Sequence, residues 1–289
     1  MSENTTQRVI IPDFIKKKEK KEKIVALTAY DFPTAKIVDR TGVDIILVGD
    51  SLGMVVLGYE DTIPVTMDEM IHHTKAVTRG VKRALVVGDM PYMSFQVSQQ
   101  EAVKNASRFI KEAGARAVKI EGASPYRLEI AHALKEAEIP VMGHVGLTPQ
   151  SINRIGSFKV KGKCKEEAHK ILDQSEKLEE AGVFTIILEC IPLELAKEIT
   201  RKLKIPTIGI GAGPFCDGQI LVFHDLLGYS NGYLPKYVKK YIDVNKILIN
   251  GINKYVKEVK NNQFPLDKHS YHSKELGNSF VSDKEKDKK

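Results

Sequence analysis

Short runs of β-branched and other apolar residues alternate along this chain with longer stretches in which apolar positions recur every three or four residues. That alternation predicts repeated strand–helix units arranged around a parallel sheet. Eight strand runs can be counted: Ile24 to Thr28, Ile45 to Gly49, Ala84 to Gly88, Ala117 to Glu121, Val141 to His144, Thr185 to Glu189, Thr207 to Ile210 and Gln219 to Phe223. Between them, Ser98 to Ala113 and Lys165 to Ala181 carry the helical spacing and stop at Gly114 and Gly182, a residue type suited to ending a helix. Eight such units predict a closed (β/α)8 barrel of the α/β class rather than an open doubly wound sheet, although the period by itself carries no information on closure. The expected layout is one barrel domain over residues 23–265, an N-terminal extension over 1–22, and a tail over 266–289. In the extension, Val9, Ile10, Ile11, Phe14 and Ile15 suggest a small docking element. The tail, rich in Lys, Asp, Ser and Glu without an apolar stripe, is expected to be mobile.

In such barrels the chemistry sits where the strands end and the strand-to-helix loops open. The polar residues at those positions are Tyr30 and Asp31, Asp50 and Ser51, Asp89, Lys119 and Glu121, His144, Glu189, and His224 with Asp225. The second and third runs close on near copies of one phrase, Leu47-Val48-Gly49-Asp50 and Val86-Val87-Gly88-Asp89. Two aspartates from adjacent strands would converge, and paired carboxylates suit Mg²⁺ or Mn²⁺, which leave their other positions to water and substrate. The plainer alternative is that each aspartate caps the next helix.

Side chains alternate faces along a strand, so Lys119 and Glu121 share one face of the fourth run and Val118 and Ile120 the other. The apolar pair belongs on the outside against helices and the charged pair inside. Buried charge is costly unless paired or bound to a metal, so Lys119 and Glu121 form either a structural ion pair or part of a site. Glu189 ends an uncharged run, and apolar surroundings there would raise its pKa, which suits a general base for a C–H proton. It could instead cap a helix over Leu193 to Leu203. His144 reads equally as a donor to a substrate oxygen or as a core histidine. His72 and His73 read as ordinary helix residues. The glycine-rich turn Gly209 to Gly213 lies where barrels often bind phosphate, but it lacks the dinucleotide fingerprint, so no nucleotide cofactor is expected.

Composition narrows the partners. A formal charge of +7 invites a nucleic-acid reading, but residues 1–23 hold seven basic and four acidic side chains, and residues 251–289 hold nine and six. The excess therefore sits at the two ends and the middle is near neutral, with no tryptophan for base stacking, so no nucleic-acid partner is expected. Cys164, Cys190 and Cys216 form no C-x-x-C pair, which fits a reducing compartment. No secretory h-region and no membrane-spanning apolar run is visible, so the expected location is cytoplasmic, away from membranes.

Several phrases together resemble the ketopantoate hydroxymethyltransferase family. They are Thr28-Ala29-Tyr30-Asp31, VGDSLGM from Val48 to Met54, Pro64-Val65-Thr66, Asp89-Met90-Pro91, VKIEG from Val118 to Gly122, and GHVGLTPQS from Gly143 to Ser151. LECIP from Leu188, IGIGAG from Ile208 and DGQILVFHD from Asp217 complete the set. The resemblance implies a (β/α)8 enzyme converting 3-methyl-2-oxobutanoate and 5,10-methylenetetrahydrofolate to 2-dehydropantoate and tetrahydrofolate, on the route to pantothenate and coenzyme A. Carried over by position, it implies Asp50 and Asp89 as Mg²⁺ ligands and Glu121 as a third metal-site carboxylate, through water or directly. It implies Asp50, Ser51, Asp89 and Lys119 as substrate contacts, Glu189 as proton acceptor, and a homo-oligomer, often a decamer. Lys268, Ser157 and Lys161 depart from the family pattern, which bears on folate contacts and not on the metal site. Two other readings remain at this point: a metal-dependent lyase or mutase related to the phosphoenolpyruvate group, and a non-catalytic barrel that binds a ligand.

Overall fold

The strands pair in sequence order, each parallel to the next, and the eighth returns to the first, so the sheet closes. The computed structural model describes residues 7–229, 234–273 and 275–276. The strands are β1 (Ile24–Thr28), β2 (Ile45–Val48), β3 (Leu85–Asp89), β4 (Ala117–Lys119), β5 (Val141–Gly146), β6 (Thr185–Glu189), β7 (Thr207–Ile210) and β8 (Gly218–Leu221). The helices are α1 (Ile11–Glu19), α2 (Phe32–Asp39), α3 (Leu52–Val55), α4 (Met67–Gly80), α5 (Gln99–Lys111), α6 (Pro125–Glu136), α7 (Ile152–Ile155), α8 (Lys165–Glu180), α9 (Leu193–Lys202), α10 (Phe223–Leu226) and α11 (Val244–Lys260). Helix starts follow local chemistry: Asp31, Thr66, Ser98 and Ser124 each accept a backbone N–H two to three residues into the helix they cap.

Alternation along the strands splits the apolar residues into two cores. Ile24, Ala26, Ile45, Leu47, Leu85, Val87, Ala117, Met142, Ile187, Ile208 and Ile220 form the interior set, whereas Ile46, Val48, Val86, Val118, Val145, Ile186 and Leu188 pack with the helices. Val9 and Phe14 belong to the interior set, and the Phe14 and Phe184 ring centroids lie 6.0 Å apart. The apolar N-terminal segment is thus a plug for the barrel's lower end. Lys17 Nζ to Asp44 (3.0 Å) and Lys18 Nζ to Asp217 (2.8 Å) tie it to the residues that precede β2 and β8.

Strand ends that differ from the sequence expectation do so by one or two residues, and the differences at β4 and β8 bear on the site and the outer face. The regular part of β4 stops at Lys119, yet Ile120 and Gly122 go on donating to the Met142 and His144 carbonyls (3.1 and 2.9 Å), so Glu121 keeps the inward direction. β8 starts at Gly218, and Phe223, expected in the strand, opens α10 with its N–H donated to Thr28 Oγ1 at 2.9 Å. Among the described residues the barrel unit has only this four-residue helix after β8, and an apolar groove of about 540 Å³ lined by Val25, Leu27, Ile37 and Leu221 lies open on the outer face.

The chain divides between Tyr241 and Ile242 into two compact units. The first holds α1, all eight strands and α2 to α10. The second holds α11, capped by Asp243 on the Lys246 N–H at 3.2 Å, and a 3₁₀ turn at Asp267–His269. The expected mobile tail falls largely outside the described residues. Among the described residues no helix is long and apolar enough to cross a membrane.

Gly88 shows how tightly outer packing constrains the strand that carries Asp89. A Cβ on Gly88 would run into the Phe109 ring of α5. Gly88→Ala is expected to cost roughly 1–3 kcal/mol through overpacking. Urea unfolding should show a lower midpoint at unchanged slope.

Candidate active site

The C-terminal ends of β2 to β6 bring one lysine, one histidine and four carboxylates to the barrel mouth. Lys119 Nζ donates to Asp89 Oδ1 at 2.7 Å and lies 3.5 Å from Glu121 Oε1. The Asp50 N–H donates to Asp89 Oδ2 at 3.2 Å, so the first two strand ends meet through backbone and carboxylate. His144 stands between Glu121 and Glu189, with Nδ1 3.5 Å from Glu121 Oε1 and Nε2 3.2 Å from Glu189 Oε2. Neither contact is aligned as a hydrogen bond; both are close ion pairs. Gln150, in the turn after β5, donates its amide to Asp50 Oδ2 and its main-chain N–H to Glu121 Oε2 (2.9 and 3.1 Å). Tyr30 and Ser51 share a hydroxyl contact of 2.8 Å beside the aspartates.

Burial and mutual charge decide the protonation of this cluster. Burial raises the Asp50 carboxyl well above the usual carboxylate range and the Asp89 charge adds to the rise, against the pull of Lys119. Burial likewise raises Asp89, with Lys119 opposing and Glu121 adding. Burial also acts to raise Glu121, but Lys119 and then His144 outweigh it and hold that carboxyl below its ordinary value. Lys119 stays charged: burial opposes its charge, and Asp89, Glu121 and Asp50 more than compensate. For His144 the flanking Glu121 and Glu189 overcome burial and push its pKa up to about 9.

The alternatives left open for these residues can now be separated. Neither Asp50 nor Asp89 caps a helix; their oxygens are taken by Gln150, Lys119 and the Asp50 N–H. Glu189 does not cap α9, whose N-cap is Pro192, and its carboxylate faces His144. Lys119 and Glu121 both point inward and are both nearly fully buried. Asp31 is a helix cap and His73 Nδ1 contacts the Tyr30 carbonyl at 2.6 Å, so neither belongs to the acidic cluster. In the glycine-rich turn, Gly211 and Gly213 have φ of 65° and 77°, and Cβ atoms there would strike Tyr237 and Leu193. Close packing accounts for these glycines.

The donor set fits a hard divalent cation at the Asp50–Asp89 pair, since four carboxylates face one ammonium and one imidazole and oxygen ligands suit Mg²⁺. Among the described residues no three His, Cys, Asp or Glu side chains gather into a ready metal cage. Glu121 contacts Lys119, His144 and the Gln150 N–H, and it stands beside the Asp50–Asp89 pair as the third carboxylate of the cluster.

Two residues of the site were not found from sequence. Gln150 lies in a loop where no periodicity marks a side chain as inward. Tyr237 follows the barrel's last strand; it packs on Gly211, and burial raises its hydroxyl pKa with the Glu189 charge adding to the rise. The signal for Gln150 was the phrase GHVGLTPQS, which carried it without a role.

Comparison with known proteins decides the family. The family model described as ketopantoate hydroxymethyltransferase matches residues 8–267. The chain belongs to the ketopantoate hydroxymethyltransferase family. Among its relatives, the 3-methyl-2-oxobutanoate hydroxymethyltransferase of Thermoanaerobacter pseudethanolicus is 60% identical over 257 residues, covering 88% of this chain and 93% of the relative. The protein of that name from Syntrophomonas wolfei is 52% identical over 268 residues, covering 93% and 97%. Two solved structures share the fold at low identity. A phosphonopyruvate hydrolase complexed with oxalate and Mg²⁺ aligns with TM-score 0.57, 11% identity and 96% coverage of both chains. A phosphoenolpyruvate phosphomutase from Streptomyces platensis aligns at 0.59 and 13% identity, covering 96% and 97%. The chain is thus an enzyme of the ketopantoate hydroxymethyltransferase family on a barrel that phosphonopyruvate and phosphoenolpyruvate enzymes also use. The non-catalytic reading falls, and the lyase or mutase reading is left with likeness of fold alone.

Removing the buried ammonium tests the charge balance. In metal-free protein, Lys119→Met is expected to cost about 3–5 kcal/mol at neutral pH by stranding buried carboxylates. The loss should shrink as pH falls towards 5, because folded-state carboxyls with raised pKa values are stabilised by protonation and lose that stability as pH rises through them. Urea titrations in chelator at both pH values measure the difference; equal losses would contradict the charge argument.

Proposed function

We propose that this enzyme transfers a hydroxymethyl group from 5,10-methylenetetrahydrofolate to 3-methyl-2-oxobutanoate, giving 2-dehydropantoate and tetrahydrofolate, with Mg²⁺ or a similar divalent cation and with Glu189 as base. Water completes the balance by supplying the hydroxyl oxygen. The observation that carries the reading is the meeting of Lys119 with Asp50, Asp89 and Glu121 at the barrel mouth, next to Glu189, in a chain of this family.

Asp50 and Asp89 are the residues that would hold the cation, which when bound supplies Lewis acidity to the oxygens of a 2-oxo acid. Lys119, held protonated by its carboxylate neighbours, adds a fixed positive charge where the keto oxygen gains negative charge as the C3 proton leaves. Because Lys119 is already seated on Asp89, that charge needs no reorganisation during the step. Glu189 takes the C3 proton: His144 engages its Oε2 and leaves Oε1 free for the substrate. Ser51, His144, Asp50, Asp89 and Lys119 line the space for the oxo acid. The resulting carbanion bonds to the methylene carbon of the folate, whose two carbon–nitrogen bonds break; the nitrogens leave protonated as tetrahydrofolate, and the hydroxyl from water takes the remaining place on that carbon. The same family likeness supports a cytoplasmic homo-oligomer, often a decamer, acting on small molecules.

Proton exchange isolates the first step from the folate. Given Mg²⁺ and no folate, the enzyme is expected to exchange the C3 proton of 3-methyl-2-oxobutanoate with deuterium in D₂O, read by proton NMR. Chelation should abolish the exchange, and Glu189→Gln should slow it at least about 100-fold. A folded wild type that catalyses no exchange with Mg²⁺ present sinks the mechanism.

A further inference from the structure

We infer that Gln150 is a positioning residue for the cation site, holding Asp50 and Glu121 in their working orientations from a third element of the barrel. The inference rests on the reading of Asp50 and Asp89 as cation ligands and adds a residue to it.

Gln150 is 6% exposed and sits in the 3₁₀ turn Pro149–Ser151, pinned by the Ser151 N–H to the Thr148 carbonyl at 2.9 Å. Its Nε2 donates both hydrogens, to Asp50 Oδ2 and to the Met90 carbonyl, each at 2.9 Å. Its Oε1 accepts from Gln96 Nε2 at 3.3 Å, and Gln96 Oε1 in turn accepts the Phe95 N–H at 3.1 Å. This network settles which way the amide points. A flipped Gln150 would aim its oxygen at a carboxylate and a carbonyl and its NH₂ at another NH₂, losing all three bonds. The orientation that remains keeps Oε1 engaged with Gln96, so the amide serves as a donor to the carboxylate.

The main-chain N–H of the same residue goes to Glu121 Oε2 at 3.1 Å. One residue thus bonds the carboxylate that follows β2 and the one that follows β4, which otherwise share no direct bond among the described contacts. Asp50 Oδ2 is held at one end, and rotation of its carboxylate would break a buried charge-assisted bond. Outer bonds of this kind set the orientation of ligating carboxylates, and losing one typically weakens metal binding by an order of magnitude or more. The backbone bond to Glu121 survives any side-chain change, so a substitution at 150 removes the hold on Asp50 alone.

The test uses the full-length protein with Mn²⁺ as probe, its free form counted by electron paramagnetic resonance, and circular dichroism to verify folding. Gln150→Met, which fills the space without donating, and Gln150→Ala are expected to bind Mn²⁺ about 10–100-fold more weakly than wild type. Raising the Mg²⁺ concentration should restore most of kcat while the half-saturating Mg²⁺ stays high, a split that general loosening of the fold would not produce. Mn²⁺ affinity within about twofold of wild type in a folded Gln150 variant overturns the inference. Should both variants unfold, Gln96→Met, which frees the amide oxygen but leaves Gln150 in place, is expected to weaken Mn²⁺ severalfold, and no change there overturns it equally. Asp50→Asn separates this inference from the reading beneath it. Loss of Mn²⁺ in Asp50→Asn without loss in Gln150→Met removes only the role of Gln150, whereas unchanged affinity in Asp50→Asn removes the cation site as well.

Discussion

A lysine ammonium buried at the mouth of the barrel, 2.7 Å from Asp89 and 3.5 Å from Glu121, is the interaction on which the rest of the site depends. Without it, three carboxylates within a few ångströms could not all stay ionised in a water-poor space. With it, Glu121 is held charged while burial still raises the carboxyls of Asp50 and Asp89. The lysine thereby divides the acidic residues into two kinds. Glu121 keeps its charge among protein partners, and the aspartate pair takes up protons more readily. His144 repeats the arrangement one strand further on, between Glu121 and Glu189. Charges of alternating sign therefore run across the mouth from Asp89 on β3 through Lys119, Glu121 and His144 to Glu189 on β6.

Much of this was legible in the chain because strands impose a period of two. Lys119 and Glu121 could be assigned inward since Val118 and Ile120 had to face helices, and the structure places Val118 and Ile120 in the outer core. The paired Gly-Asp phrases marked the aspartates, and their glycines answer to close packing: Gly88 makes room for Phe109, and a Cβ at Gly49 would crowd Ser51 Oγ. What escaped the reading was everything decided by loops. Gln150 and Tyr237 reach the site from segments with no periodicity, and the environment of Glu189 depends on a histidine from the neighbouring strand, a pairing that no single run reveals.

Fold and family answer different questions here. Barrels that act on phosphonopyruvate or phosphoenolpyruvate superpose on this one at 10–13% identity, a level at which the arrangement of strands persists and side chains are free to differ. Identities of 52–60% to hydroxymethyltransferases bear instead on the side chains that make the cluster. The barrel supplies strand ends that converge; residues 50, 89, 119, 121, 144 and 189 are the charged groups they bring together.

The shortness of β4 has a consequence for how the chain finds its own structure. Only Ala117, Val118 and Lys119 form the regular strand. A shift of one residue along it would turn Lys119 and Glu121 out against the oily side of α5 and α6 and bring Val118 and Ile120 into the polar funnel. Both halves of that error are penalised at once, by stranded charge outside and by unanswered acids within. The groups that make the mouth reactive therefore also proofread the thread of the barrel, so a chain that assembles with β4 out of step forfeits stability and activity together.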